Sequence, residues 1–96
     1  MRIDAEVMGE FEYDPNKSAA NLARHGLDFV QAQRLWDDPE LIEFRLAYED
    51  EPRWAVVGML DGKHWTGIYR ESRIRIISVR RSHPKEGRFY EDSKSL

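Results

Sequence analysis

Apolar residues recur every three or four positions between Asp14 and Asp37, and then close to every second position from about residue 41 to 81. The first spacing is that of helices with one buried face, the second that of strands. Asp14-Pro15 opens the first helix: the aspartate can accept from the first amides, and proline fits a position whose N–H has no helical partner. That helix runs through Ala19, Ala20, Leu22 and Ala23 to His25, where Gly26 stops it. Asp28 caps a second helix, whose Phe29, Ala32, Leu35 and Trp36 form a buried face, and Asp37-Asp38-Pro39 ends it. Ahead of both, Phe11-Glu12-Tyr13 reads as a short strand. Further strands are predicted at about 41–47, 53–60, 64–70 and 73–81. A last helix starts near Pro84, with Glu86 in its first turn, where a carboxylate suits the helix dipole. Gly87 weakens that helix by about 1 kcal/mol relative to alanine.

The predicted fold class is α+β: two N-terminal helices, a mainly antiparallel four-stranded sheet over about 41–81, and a C-terminal helix. Residues 11–91 form the domain, residues 1–10 a flexible leader and residues 92–96 a mobile tail. Asp61-Gly62 is the strongest hairpin signal in the chain, and Glu71-Ser72 supplies a second two-residue connection. With both loops of that length, one sheet face carries Trp54, Val56, Gly58, Trp65, Gly67, Tyr69, Ile74, Ile76, Ser78 and Arg80. The other carries Ala55, Val57, Met59, His64, Thr66, Ile68, Arg70, Arg73, Arg75, Ile77, Val79 and Arg81. A single bulge would exchange the faces beyond it. Neither face is wholly polar, so helices cover part of each, or cover one while the other meets a partner.

The 96 residues suffice for one core and not for two. The absence of cysteine excludes disulfides and thiolate-bound metal. No apolar run approaches the ~20 residues that a membrane span needs. Met1 to Glu10 is polar and acidic, without the apolar centre of a signal peptide, so the expected location is cytoplasmic. The net charge of −3 conceals a division: residues 1–62 hold 6 Lys and Arg against 14 Asp and Glu, and residues 63–96 hold 9 against 4. A chain so divided offers one face to anions and another to a basic partner. Being acidic overall, and lacking a recognition helix rich in Arg, Asn or Gln, it fits a DNA-binding regulator poorly.

Much of the late positive charge sits on one predicted strand. Ile74, Ile76, Ile77 and Val79 suit a largely buried strand, yet Arg73, Arg75, Arg80 and Arg81 interrupt them. Guanidiniums on a rigid strand can grip phosphate through forked hydrogen bonds. Alternatively they are solvated or meet carboxylates elsewhere in the chain, and the strand by itself leaves both readings open.

Phe11-Glu12-Tyr13-Asp14, Lys17, Asn21, His25-Gly26, Phe29, Ala32 and Asp37 are followed by Asp61-Gly62, Tyr69, Arg75-Ile76-Ile77-Ser78, Arg80, Glu86 and Tyr90. Together these resemble the BrnT-type toxin family over about residues 11–91. The resemblance implies a RelE-like fold and a ribonuclease toxin of a type II toxin–antitoxin system, cleaving RNA without a metal and inhibiting translation. No metal or organic cofactor is implied. The implied partners are an RNA substrate and a BrnA-like antitoxin of the ribbon-helix-helix type. Operator DNA would be reached only through that antitoxin, with the toxin as co-repressor, in an assembly such as a heterotetramer with two antitoxin chains. No membrane is involved. The alternative is a catalytically inactive copy that only binds its antitoxin.

Metal-free RNA cleavage needs a 2′-hydroxyl deprotonated, a pentavalent phosphate stabilised and a leaving 5′-oxygen protonated. Arg75, Arg80 and Arg81 match the positive part of the family pattern and are assigned to the phosphate, although the predicted register sets Arg80 on the face opposite Arg75 and Arg81. His25, at a helix end, either caps carbonyls or serves as an acid/base. His83 stands where family members carry Ser or Thr facing Glu86, and is either a weak cap or an acid/base. Tyr90 completes the catalytic candidates. Glu86 shares its helix face at four-residue spacing and reads as an orienting partner for Arg75 or Arg80. Arg70, Arg73, Lys85 and Arg88 are RNA-binding candidates; Arg70 or Arg73 replaces an arginine that family members carry in a longer loop after the tyrosine matching Tyr69. His64 matches no family position. Trp36 and Trp54 read as core, and Trp65 as core in preference to a base-stacking surface.

Overall fold

The computed structural model describes residues 11–47, 51–70 and 74–94; the predicted leader, Glu71-Ser72, Arg73 and the last two residues lie outside these. In chain order the elements are β1 (Phe11–Glu12), α1 (Pro15–His25), α2 (Phe29–Ala32), a 3-10 turn (Gln33–Asp37), β2 (Ile42–Leu46), β3 (Arg53–Leu60), β4 (Lys63–Arg70), β5 (Ile74–Arg81) and α3 (Pro84–Lys94). The start and stop of α1 are those the sequence predicts. Asp14 accepts from the Asn16 amide at 2.8 Å, and Gly26, at φ 87°, donates its N–H to the Leu22 carbonyl at 2.9 Å. What α1 buries, however, is polar. Ser18 Oγ accepts from the Phe29 amide at 2.9 Å. The Asn21 side chain donates to the Leu27 and Val79 carbonyls at 2.7 and 2.8 Å and accepts from the Val79 amide at 3.2 Å. One amide side chain thus answers both backbone groups of a β5 residue, as a neighbouring strand would.

A reciprocal cap starts α2: Asp28 accepts from the Gln31 amide at 2.7 Å, and the Gln31 side chain accepts from the Asp28 amide at 2.9 Å. The predicted helix through Trp36 tightens after one turn into the 3-10 segment. Phe29, Ala32 and Leu35 are three residues apart, the period that a 3-10 helix stacks in one ridge, and none is more than 1% exposed.

The sheet is five-stranded and mixed, in the order β1-β5-β4-β3-β2, where four antiparallel strands were predicted. The difference is β1, which adds parallel to the start of β5 (Phe11 to Ile74, Glu12 to Arg75). The β3–β4 hairpin has the predicted register, with Leu60 opposite Lys63 and a turn in which Asp61 (φ 52°) and Gly62 (φ 79°) are both left-handed. The β4–β5 register departs from the prediction. Arg70 pairs with Arg75, and Ile68 pairs with Ser78 while Tyr69 pairs with Ile76, so Ile77 is an extra residue in β5. Beyond this bulge the faces exchange: Val79 and Arg81 side with Gly67 and Trp65, and Ser78 and Arg80 side with Ile68 and Thr66. Arg75 and Arg80 therefore share a face and Arg81 lies on the other, which corrects the predicted division.

On the Trp65 face, α1, α2 and the 3-10 turn close a core of Leu27, Phe29, Ala32, Leu35, Leu60, Trp65, Ile76 and Val79. Gly67 leaves room for the Trp36 ring, which a Cβ there would meet at 3.5 Å. Trp65 is core, as preferred from the sequence. The other face is partly covered by α3, which continues through Lys94, three residues into the predicted tail. Its Tyr90 is buried and donates its hydroxyl to Asp38 Oδ2 at 2.7 Å; the same oxygen accepts from the Met59 amide at 2.8 Å. Asp38 so joins the end of the 3-10 turn, the β3 edge and α3. Removing the hydroxyl with Tyr90→Phe should lower the unfolding free energy by about 2 kcal/mol, measured by urea denaturation, because the bond lost is to a carboxylate. No described helix is long and apolar enough to cross a membrane.

Candidate active site

The corner where β5 passes into α3 is fixed by one carboxylate. Glu86, in the first turn of α3, accepts from Arg80 Nη1 and Nη2 at 2.8 and 2.9 Å, from the Thr66 hydroxyl at 3.0 Å and from the His83 amide at 2.7 Å. Burial alone would raise its pKa; the Arg80 bonds, the His83 amide and the Thr66 hydroxyl outweigh that and hold it at about 2. His83 is therefore the residue at the helix cap, and of the two arginines the sequence left open for Glu86, it is Arg80 that Glu86 holds. Arg80 Nη1 also reaches the Arg81 carbonyl at 3.3 Å, so this guanidinium ties strand to helix.

Beside this anchor lies a cleft of ≈ 380 Å³ whose walls include His64, Arg81, His83, Arg88 and Glu91. His64 Nε2 lies 2.8 Å from Glu91 Oε2, and its ring meets Tyr90 edge-on at 5.4 Å. Gly87 packs on the same ring, where a Cβ would come within 3.5 Å of Nδ1. The bond to His64 holds the Glu91 carboxyl below its ordinary value. Arg81 Nε donates to the His64 carbonyl at 3.3 Å, and its guanidinium lies over Trp65 at 5.8 Å. An imidazole oriented by a carboxylate, a second imidazole and two guanidiniums thus share one concave surface. That set can accept a proton, deliver a proton and neutralise a phosphate.

The other predicted site residues are elsewhere. Arg75 and Arg70 line a separate notch of ≈ 100 Å³ with Lys17 and Arg53. Arg75 Nη1 meets Glu12 at 3.0 Å, and Arg70 Nη1 meets both Glu51 oxygens at 2.8 and 2.6 Å. Along β5, Arg75 and Arg81 are separated by roughly 20 Å at the rise of a strand. The expected convergence on one pocket is thereby corrected: the bulge and the strand length divide the cations between two sites. His25 borders a third hollow, with Lys17, Arg24 and Ser78. Tyr90 is buried away from the cleft, its hydroxyl pKa raised by burial and by Asp38. Lys85 is exposed on α3, and Arg73 is outside the described residues.

Sequence reasoning passed over His64, Glu91, Lys17 and Arg53. The Asp61-Gly62 register already set His64 opposite Met59 and Arg53 opposite Arg70. Gly87 and Glu91, four residues apart, already shared the helix face that meets His64.

Residues 13–86 match the family model described as ribonuclease toxin, BrnT, of type II toxin-antitoxin system. The chain belongs to the BrnT family. The match takes in the arginine strand, His64 and the Glu86 anchor, and ends before Arg88, Tyr90 and Glu91. Membership makes the chain one of a family of ribonuclease toxins, and a type II system implies an antitoxin partner. No curated protein sequence matches this BrnT chain.

Proposed function

We propose that this BrnT chain is an endoribonuclease whose catalytic surface is the cleft between the end of β5 and α3. It cleaves RNA without a metal, inhibits translation, is neutralised by a BrnA-like ribbon-helix-helix antitoxin and acts with it as co-repressor. The observation that carries this reading is the grouping of His64, His83, Arg81 and Arg88 around one cleft, with Glu91 bonded to His64. His64, oriented by Glu91, takes the 2′-hydroxyl proton, and the carboxylate stabilises the imidazolium that forms. His83 delivers a proton to the leaving 5′-oxygen. Arg81 and Arg88 offset the charge that grows on the phosphate.

Induction of the chain without its antitoxin should halt growth and degrade total RNA. Arg81→Ala should restore growth at equal expression. Normal growth with folded, soluble wild-type protein would instead favour an inactive partner of the antitoxin. That second reading draws on the ion pairs of Arg70, Arg75 and Arg80, three cations that the sequence assigns to RNA and that meet carboxylates of the chain itself.

A further inference from the structure

β2 ends the sheet among the described residues, and its side chains alternate: Ile42, Phe44 and Leu46 are half-buried, Glu43 and Arg45 exposed. Ile42 and Phe44 pair with Val57 and Ala55, which puts them on the face that α3 covers only in part. Phe89 and Ser93 of α3, four residues apart, meet Ile42, Glu43 and Phe44 across a groove of ≈ 460 Å³. Phe89 is 54% exposed there, so a run of apolar surface crosses from the helix to the edge strand. Residues 37–51, which contain β2, hold seven Asp and Glu against Arg45 alone. Glu43 receives the Tyr69 hydroxyl, a neutral donor that leaves its charge in place, and neither Glu43 nor Glu40 forms an ion pair among the described residues. Residues 1–10, with Arg2 against Asp4, Glu6 and Glu10, have the wrong sign to fill such a groove.

The geometry points to a docking site for the antitoxin: an extended segment that alternates apolar residues with Lys or Arg pairs with β2 and sets an apolar side chain in the groove against Phe89. This rests on the toxin–antitoxin reading. In such a contact the main-chain hydrogen bonds of the edge supply affinity, and the groove selects the alternate side chains. A basic residue on the other face of the added segment lies opposite Glu43, and the acids around β2 exclude a partner of their own sign. α3 stands between this groove and the cleft: Gly87 and Glu91 meet His64, whereas Phe89 and Ser93 line the groove. Antitoxin affinity and RNA cleavage therefore belong to opposite sides of one helix and are separable by mutation.

The probes are labelled peptides of about seven residues, titrated against the full chain by anisotropy. One alternates lysine with valine, and its counterpart alternates glutamate with valine. The lysine peptide should bind about tenfold more tightly or better. N-methylation of every second amide blocks one border of a strand, so of the two methylated isomers of the lysine peptide one should bind like the parent and the other about tenfold more weakly. Phe89→Ser, at an exposed position, should weaken the parent about tenfold, and Glu43→Gln, which can still accept from Tyr69, about threefold. Phe89→Ser should also cut RNA at the wild-type rate while a co-expressed BrnA-like antitoxin no longer restores growth. Absence of lysine-peptide binding at millimolar concentration, equal binding of the two methylated isomers, or wild-type affinity in Phe89→Ser would overturn the site. So would a stable wild-type dimer at micromolar concentration that Phe89→Ser makes monomeric, since a second copy would then own the groove. A wild-type chain that binds peptide and antitoxin through the groove but cuts no RNA would defeat the nuclease reading and leave the docking site standing.

Discussion

Glu86→Ala should lower the unfolding free energy by about 3 kcal/mol at neutral pH, because the substitution leaves a half-buried guanidinium and a helix-cap amide without their carboxylate. The same group gives the effect a pH signature. The Glu86 pKa is about 2 in the folded chain against an ordinary 4.5. An acid whose pKa is lowered by folding contributes its full stabilisation above the ordinary value and loses it as pH falls through the lowered one. Wild-type protein should therefore lose up to about 3 kcal/mol of stability from this group between pH 4.5 and about 2. The variant has no such carboxyl to protonate, so the gap between the two unfolding curves should close in that window. A gap that stays constant on acidification would show that Glu86 does not work through its charge.

His64→Ala should reduce single-turnover RNA cleavage by about a hundredfold or more, the range for loss of a general acid or base. Glu91→Gln should reduce it by about tenfold, since glutamine can still touch the imidazole but no longer stabilises its protonated form. The Glu91 carboxylate is half exposed, so its exchange should leave thermal stability within about 0.5 kcal/mol of wild type, and the loss of rate can then be assigned to chemistry. Equal rates for all three proteins would remove the cleft from consideration. Loss of rate in proportion to loss of folded protein would reduce His64 to a packing residue against Gly87 and Tyr90.

What was legible in the sequence was set locally. Asp14-Pro15, Gly26, the Asp28 cap and Asp61-Gly62 act within a few residues of themselves, and each appears in the structure where the sequence puts it. The extra residue at Ile77 has no local signature, because a bulge depends on how neighbouring strands and α1 pack around β5. That one residue decides which arginines share a face. The destination of Arg80 was half legible: the sequence offered Glu86 as a partner for Arg75 or Arg80, but not which of the two, nor that the pair would close the β5–α3 corner. His64 was passed over because a histidine within a strand has no motif, and its partner lies 27 residues away on α3.

The Asn21 bridge to Val79 has a bearing on how this protein behaves without its antitoxin. Past the two residues of β1, the outer border of β5 is closed at its middle by a side chain, so a foreign strand finds no continuous ladder to extend there. The five-residue border of β2 has no such guard among the described residues. Self-association of concentrated toxin, and any relief of it by a strand-contributing companion, should therefore begin at β2.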